Sequence, residues 1–194
     1  MDSFLQVFSS NIVTCSIEKN TDVLKKETKF ANNDYQKDTG RDNYRVLEKY
    51  PKVKKILLEK YKKFAREELN YTENFVMTTS WITKIETGEY SQQHCHKNSF
   101  YSGIYYFDDY EQDKGGKLEF QSPLLNLPDF YLVPKEWNIL NSNALVITPA
   151  KNLLVLFPSY LFHRILPYHG TSIRRSLSFN IVPTGSYGSG DSSS

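Results

Sequence analysis

The chain has 194 residues, of which 24 are Lys or Arg and 22 are Asp or Glu, so its formal net charge is +2. This length suffices for one domain with a substantial core, and a hydrophobic content of 39% is typical of a globular protein. The nearly balanced charge argues against nucleic-acid binding, and the absence of an apolar run of about 18 residues argues against a membrane span.

The first predicted elements are a strand and a helical layer. Residues 11–17 are rich in β-branched side chains and predict a strand. The composition is then rich in Lys, Glu and Leu from residue 21 to about residue 70, and the best helix is predicted over residues 50–70. Pro51 suits its first turn. Apolar residues recur at helical spacing, namely Val53, Ile56, Leu57, Tyr61 and Phe64.

The rest of the chain has the pattern of β-strands. Residues 74–88 alternate and are rich in β-branched and aromatic side chains. Further β-like runs cover His94–Phe107, Lys117–Phe120, Ala144–Thr148, Leu153–Phe157 and Ser176–Val182. The sequence therefore predicts mainly β structure with N-terminal helices (α+β), in which short antiparallel strands close as a sandwich or barrel.

We interpret residues 1–185 as one domain, with the helical layer at about 21–70 and the β core at about 75–183. Residues 121–143 contain three prolines and no clean period, which is typical of a lid or binding loop. Aromatic residues in this loop would cover a substrate or form a small satellite core, namely Phe130, Tyr131 and Trp137. Residues 186–194 are rich in Gly and Ser and predict a flexible tail.

Three histidines have a distribution that suits a metal site. On a strand, His94 and His96 would lie on one face and Cys95 on the other. His163 follows a separate apolar strand, so a close pair and a distant single histidine could form a facial three-ligand site with open metal positions. The alternative is that the pair begins an ordinary strand and His163 packs or caps at a strand end.

A buried anion pocket is predicted near the C-terminal strand. Alternation over residues 174–181 places Arg174, Ser176, Ser178 and Asn180 on one face and Leu177, Phe179 and Ile181 on the other. An arginine in a barrel interior is costly unless an anion lies there, and its planar fork matches a carboxylate. The alternative is an edge strand whose polar face contacts water.

These residues resemble the iron(II)- and 2-oxoglutarate-dependent oxygenase superfamily, and most closely its small branch in bacteria and phages that carries H-x-H, with prolyl-4-hydroxylase-like proteins as cousins. The resemblance covers about residues 81–183, roughly half the chain. It is carried by G-x-Y at 88–90, H-x-H at 94–96, SGIYY at 102–106, GGKLEF at 115–120, LFPSYLFH at 156–163 and RRSLSFN at 174–180.

The resemblance implies a double-stranded β-helix (jelly roll, cupin-like) with helices behind its larger sheet. It also implies that His94, His96 and His163 bind Fe(II) and that Arg174 pairs with the distal carboxylate of 2-oxoglutarate. Ser176 would assist Arg174, and so would a hydroxyl from Tyr101 or Tyr105 on the facing strand. Arg175 is the alternative if the register differs by one residue.

One departure from the superfamily concerns the metal ligands. The usual pattern is H-x-D or H-x-E, whereas this chain has His96 at the carboxylate position. A third imidazole leaves the ferrous site one unit more positive and softer, so zinc or nickel could compete. A carboxylate from elsewhere, such as Asp108 or Glu119, could complete the ligand set instead.

The implied function is a dioxygenase that uses Fe(II), 2-oxoglutarate and O2 to hydroxylate a C–H bond. The likeness to prolyl hydroxylases favours a peptidyl substrate, prolyl being one option, and a small metabolite or a nucleobase is the alternative. The rivals are a non-catalytic jelly-roll module with a structural metal and a cupin-type metalloenzyme without 2-oxoglutarate.

Cys15 and Cys95 are far apart, and the start of the chain lacks the features of a secretory signal. Both observations favour a reducing cytoplasm, that of the host if the protein is phage-encoded. A homodimer is one option for the oligomeric state.

Overall fold

The structure is a computed structural model that describes residues 10–19, 21–31, 44–123, 133–138, 140–188 and 191. It contains one α-helix within these residues, α1 (Pro51–Glu67), and short 3-10 turns at Asp22–Lys26, Val46–Lys49 and Gln112–Lys114. The strands are β1 (Val13–Ser16), β2 (Asn74–Ile85), β3 (Tyr101–Tyr105), β4 (Leu118–Gln121), β5 (Ala144–Ile147), β6 (Leu153–Pro158), β7 (His163–Ile165) and β8 (Arg174–Thr184). The prediction of mainly β structure with N-terminal helices is confirmed.

The strands form two sheets. The larger sheet has the order β1-β6-β3-β8-β2 and the smaller has the order β5-β4-β7. Every pairing between named strands is antiparallel. Strands that are neighbours in each sheet are mostly distant in sequence, so the sheets bring together side chains from both ends of the β region.

Helix α1 covers one face of the larger sheet. Its residues Val53, Leu57 and Tyr61 recur at four-residue spacing and are buried, which gives the helix a continuous apolar stripe. They belong to one hydrophobic cluster with Leu177 and Phe179 of β8. The predicted helix and its apolar face are therefore confirmed.

One face of β8 packs in the hydrophobic core, and the other carries polar side chains. Leu177, Phe179 and Ile181 pack on the helix side, whereas Arg174 and Ser176 line a cavity on the other side. Both faces are buried, because the helix covers one of them and the smaller sheet lies beyond the other. The predicted division of this strand into an apolar and a polar face is confirmed.

A β-bulge in β2 reverses which side chains face the cavity. The register with β8 shifts between Met77 and Thr79, so that Met77 pairs with Ile181 and Thr79 with Asn180. The extra residue inverts the alternation of the strand. As a result Met77 packs in the helix-side core, while Trp81 faces the cavity.

The strand predicted over His94–Phe107 is wrong in its first half. Strand β3 begins only at Tyr101, and His94 takes part in an isolated bridge with His163. Asn98 has a positive φ of 55°, a left-handed conformation that interrupts an extended strand and is accessible to asparagine. A turn therefore separates the H-x-H pair from β3.

Some predicted features lie outside the described residues. These are the middle of the 121–143 loop with Phe130 and Tyr131, part of the N-terminal layer at 32–43, and most of the predicted tail. Trp137 is described and is 53% exposed. Among the described helices, none is both long and apolar enough to cross a membrane.

Candidate active site

Three imidazoles converge at one end of the space between the sheets. The potential ligand nitrogens of His94, His96 and His163 all lie within 4.8 Å of one another. The backbones of His94 and His163 exchange two N–H···O=C bonds of 3.0 and 2.9 Å, and the His96 N–H donates to the Ser159 carbonyl oxygen at 2.9 Å. Backbone pairing thus brings the H-x-H segment against the start of β7.

The hydrogen bonds of the imidazoles orient their metal-binding nitrogens. Nδ1 of His94 contacts the Gln92 carbonyl oxygen at 2.8 Å, and Nδ1 of His163 contacts the Leu161 carbonyl oxygen at 3.0 Å. Nδ1 of His96 contacts the amide oxygen of Asn180 at 2.8 Å. Because carbonyl and amide oxygens only accept, each Nδ1 carries the proton and each Nε2 presents a lone pair, as in metal-binding histidines.

Burial keeps these imidazoles in the uncharged form that binds metals. It lowers the pKa of His163 to about 3, with the nearby His94 acting in the same direction. Burial likewise lowers the pKa of His96 to about 4 and lowers the pKa of His94. All three are therefore neutral at pH 7, and Nε2 of His96 is buried without a hydrogen-bond partner among the described residues. A metal ion would satisfy it.

No carboxylate joins the three histidines within the part of the chain that the structure describes. Asp108 instead accepts from Nε of Arg175 at 2.8 Å and lies near Lys25. Glu119 accepts from Nε of Arg164 at 2.6 Å at the surface. Neither Asp108 nor Glu119 therefore lies in the histidine cluster, because each pairs with an arginine elsewhere.

Arg174 is a buried cation that no carboxylate of the described residues pairs with. Its side chain is 1% exposed, and none of its three guanidinium nitrogens has a hydrogen-bond partner among the described residues. The guanidinium lies 5.0 Å from the ring of Tyr106 and 5.7 Å from that of Tyr110. Cation–π contacts offset only part of the cost of desolvating the charge, so the geometry suits a bound anion.

The second glycine of the G-G turn makes room for this arginine. Gly116 has a φ of +65°, and a Cβ on it would lie 3.0 Å from Cδ of Arg174. Both the backbone conformation and the close approach favour glycine. The glycine pair of the GGKLEF motif is thus part of the wall around the guanidinium.

One cavity connects the imidazoles with the arginine. It is lined by His94, His96 and His163 and also by Arg174 and Ser176. Ser176 is 1% exposed, and its Oγ hydrogen-bonds Oγ1 of Thr83 at 3.1 Å. Five of the residues that the sequence singled out therefore meet in one place.

Tyr101 and Tyr105 do not line this cavity, which corrects their predicted placement. Both belong to the helix-side core. The ring of Tyr101 lies 5.2 Å from that of Tyr61, and the Tyr105 hydroxyl contacts Oγ1 of Thr21 at 2.5 Å. The register of β3 with β8 places these tyrosines beside Ile181 and Leu177, on the apolar face.

Tyr106 is the residue that the sequence reasoning missed. It lines the cavity and is 1% exposed, and its hydroxyl has no hydrogen-bond partner among the described residues. Burial raises the pKa of this hydroxyl, which keeps it a hydrogen-bond donor. Alternation along SGIYY places Tyr106 on the face opposite Tyr105, and this was the available signal.

Arg175, the alternative to Arg174, points away from the cavity. It pairs with Asp108, and its guanidinium lies 5.9 Å from the ring of Phe107. Adjacent strand residues face opposite sides, so only Arg174 reaches the cavity.

Comparison with known proteins gives a family match over the same region. The model of a family described as "Putative 2OG-Fe(II) oxygenase" matches residues 79–180, which is more than half of the chain. This segment includes the three histidines and Arg174. No functionally curated protein matches the chain.

Solved structures resemble this chain at low sequence identity. HygX from Streptomyces hygroscopicus, solved with nickel and 2-oxoglutarate bound, has a TM-score of 0.50 and 10% identity over 73% of this chain and 71% of its own. A Pseudomonas putida prolyl-4-hydroxylase has a TM-score of 0.47 and 16% identity over 66% of this chain. An oxidoreductase of the 2OG-Fe(II) oxygenase family from Burkholderia pseudomallei has a TM-score of 0.45 and 11% identity over 61%. The chain spans 63% of the Pseudomonas protein and 50% of the Burkholderia protein.

Proposed function

Because this chain belongs to the 2OG-Fe(II) oxygenase family, we propose that it is an Fe(II)- and 2-oxoglutarate-dependent dioxygenase that hydroxylates a C–H bond. One observation carries the proposal: a single cavity holds three neutral imidazoles and a buried guanidinium that no described residue hydrogen-bonds. Its fold would be a double-stranded β-helix within one domain of residues 1–185, with the two sheets as its opposing faces.

His94, His96 and His163 would hold the metal through Nε2. Their Nδ1 atoms are engaged by oxygens of the protein, so the lone pairs are aimed before the metal arrives. Bound Fe(II) supplies the redox chemistry by which O2 and 2-oxoglutarate oxidise a C–H bond. The protein would orient the substrates and exclude water, and three ligands on one side leave positions for both co-substrates.

Arg174 would bind the distal carboxylate of 2-oxoglutarate, assisted by Tyr106 and Ser176. The guanidinium offers a planar pair of donors that matches a carboxylate, and the Tyr106 hydroxyl is a further donor on the same cavity. The buried site would strengthen these charge-assisted bonds, because water does not screen them.

The Tyr106→Phe variant should bind 2-oxoglutarate more weakly, because it removes one hydrogen bond to a charged group. Such a bond contributes about 1.5–3 kcal/mol, which corresponds to a roughly 10- to 150-fold increase in the dissociation constant. Calorimetric titration of the metal-loaded protein would measure this increase.

Tyr105→Phe is the matched control for this experiment. It also removes a tyrosine hydroxyl, but from the adjacent residue, whose side chain lies on the helix side and hydrogen-bonds Thr21. It should lower stability and leave 2-oxoglutarate affinity unchanged. Equal affinity losses in the two variants would contradict the assignment of Tyr106.

The primary substrate would be a peptidyl group, prolyl being one option, or a small metabolite. Its C–H bond would approach the imidazoles from the side where Tyr44 and Trp81 line both the inner cavity and the adjoining opening. These two rings lie 5.8 Å apart and offer apolar contact to an uncharged group.

The function is tested by anaerobic titration of the metal-free protein with Fe(II) and then with 2-oxoglutarate. We expect the weak visible charge-transfer band of the iron–keto-acid chelate only when both are present. Succinate, which has two carboxylates and no keto group, is the control and should give no band. Iron binding without any band would contradict the proposal and favour a structural-metal module or a cupin-type enzyme.

A further inference from the structure

His96 differs from the other two imidazoles in what holds it. Nδ1 of His94 and of His163 contacts a backbone carbonyl oxygen close in sequence. Nδ1 of His96 instead contacts two side chains from distant strands, Oγ of Ser102 at 2.7 Å and Oδ1 of Asn180 at 2.8 Å. The orientation of this imidazole therefore depends on side chains that substitution can remove.

Asn180 is itself held so that its oxygen faces the imidazole. Its Nδ2 donates to Oγ1 of Thr79 at 3.0 Å. An amide has donors at one end and acceptors at the other, and with Nδ2 on Thr79 the amide of Asn180 presents Oδ1 to His96. Thr79 lies opposite Asn180 only because of the bulge in β2.

A chain of serines gives Ser102 the same acceptor role. Ser99 donates to the carbonyl oxygens of Tyr101 and Ile181, and Ser159 donates to Ser99 at 2.9 Å. The single hydrogen of Ser102 has two acceptors besides the imidazole, Oγ of Ser159 and Oδ1 of Asn180, each 2.8 Å away. With its hydrogen on either of these oxygens, Ser102 presents a lone pair to Nδ1 of His96.

From these bonds we infer that Thr79, Asn180 and Ser102 are positioning residues that force the proton of His96 onto Nδ1 and aim its Nε2 lone pair at the metal. This inference rests on the proposed function, in which His96 is a ligand. In the superfamily pattern H-x-D or H-x-E, the position of His96 holds a carboxylate, which can bind a metal through either oxygen and has no tautomers. An imidazole has one usable lone pair when neutral, so the choice of tautomer decides whether His96 can bind.

The tautomer is tested first in the metal-free protein, by NMR of 15N-labelled imidazoles. The expected wild-type spectrum has His96 with a protonated Nδ1 and an unprotonated Nε2, and the Asn180→Leu spectrum has a mixture of tautomers. A wild-type His96 protonated on Nε2 would overturn the inference, and so would an unchanged tautomer in the Asn180→Leu and Ser102→Ala variants.

Metal affinity is the second readout, with Co(II) as a spectroscopic probe. Loss of a partner that orients a ligand typically costs about 10–100-fold in metal affinity, and we expect this loss in Asn180→Leu. Asn180→Asp should restore both the tautomer and the affinity, because a carboxylate oxygen at the same place also accepts from Nδ1. A loss of affinity that Asp does not rescue would indicate a merely structural role and overturn the inference.

A second test, which does not require the Asn180 variants to fold, compares Thr79→Val with Thr78→Val. Both make the same chemical change in β2, but only Thr79 contacts Asn180, while Thr78 is exposed at the bulge. Thr79→Val should weaken Co(II) binding and populate the second tautomer, and Thr78→Val should do neither. Equal behaviour of the two variants would overturn the inference.

The two proposals fail in different ways. A wild-type protein that binds neither Co(II) nor Fe(II) contradicts the proposed function, whatever the tautomer of His96. A wild-type protein that binds metal and forms the 2-oxoglutarate chelate, with Asn180→Leu equal to it in affinity and tautomer, retains the function and contradicts only the positioning role.

Discussion

The His163→Ala variant is expected to lose Fe(II) binding. His163 is 4% exposed, and its metal-binding nitrogen lies among those of His94 and His96. Only two imidazole ligands would remain on the iron. We therefore expect the Fe(II) affinity to fall by more than the factor of about 10–100 that removal of an outer-shell partner typically costs. Equilibrium dialysis against Fe(II) under anaerobic conditions would measure the bound metal.

His169→Ala is the matched control, because His169 is exposed and lies outside the cluster of three imidazoles. It should bind one Fe(II) as the wild type does. Thermal unfolding of both variants would separate a lost ligand from a lost fold. Unchanged metal stoichiometry in folded His163→Ala would mean that the metal centre lies elsewhere.

The Arg174→Ala variant is expected to bind Fe(II) normally and 2-oxoglutarate very weakly. Removal of one partner from a buried ion pair costs about 3–5 kcal/mol, or roughly 150- to 5,000-fold in dissociation constant. Calorimetric titration of 2-oxoglutarate into the metal-loaded variant would measure this. Arg174→Met, which keeps more of the side-chain volume, should show the same loss.

Arg174→Met should weaken 2-oxoglutarate binding but raise the stability of the ligand-free protein. In the ligand-free protein, Arg174 is a desolvated charge whose guanidinium has no hydrogen-bond partner among the described residues. Replacement of buried ionic groups by apolar ones is often stabilising by about 1–4 kcal/mol. We therefore expect the free energy of unfolding to rise in Arg174→Met, as measured by urea denaturation without 2-oxoglutarate.

Arg175→Ala is the control for the choice of arginine. It removes the neighbouring guanidinium, which pairs with Asp108 outside the cavity. It should lower stability and leave 2-oxoglutarate affinity unchanged. Loss of affinity in Arg175→Ala but not in Arg174→Ala would place the carboxylate clamp on the other face of β8.

The elements with a regular pattern were predictable from the sequence. Helix α1 buries residues at four-residue spacing, and strand β8 alternates polar and apolar residues from Ser176 to Ile181. The helix stripe and the two faces of β8 could therefore be assigned without a structure. The spacing of the histidines also indicated that His163 comes from a different strand than His94 and His96.

Two placements failed where the pattern was interrupted or ambiguous. The strand prediction ran through His94–Phe107, although the positive φ of Asn98 ends the extended conformation there. Tyr101 and Tyr105 were predicted as hydroxyl donors, whereas Tyr106 lines the cavity. Alternation separates Tyr105 from Tyr106, but β3 is buried on both faces, so alternation alone does not reveal which of the two residues faces the cavity.

The sequence by itself determined the chemistry available to this protein: the histidines, the arginine and its polar face on β8, and the apolar residues that pair α1 with the larger sheet. These follow from residue type and local period, which are properties of short segments. Only the tertiary structure decided which tyrosine meets Arg174, that Asp108 and Glu119 are committed to other arginines, and that Asn180 and Ser102 hold His96. Each of these depends on the register between strands that are distant in sequence, and on a one-residue bulge in β2 that exchanges its two faces.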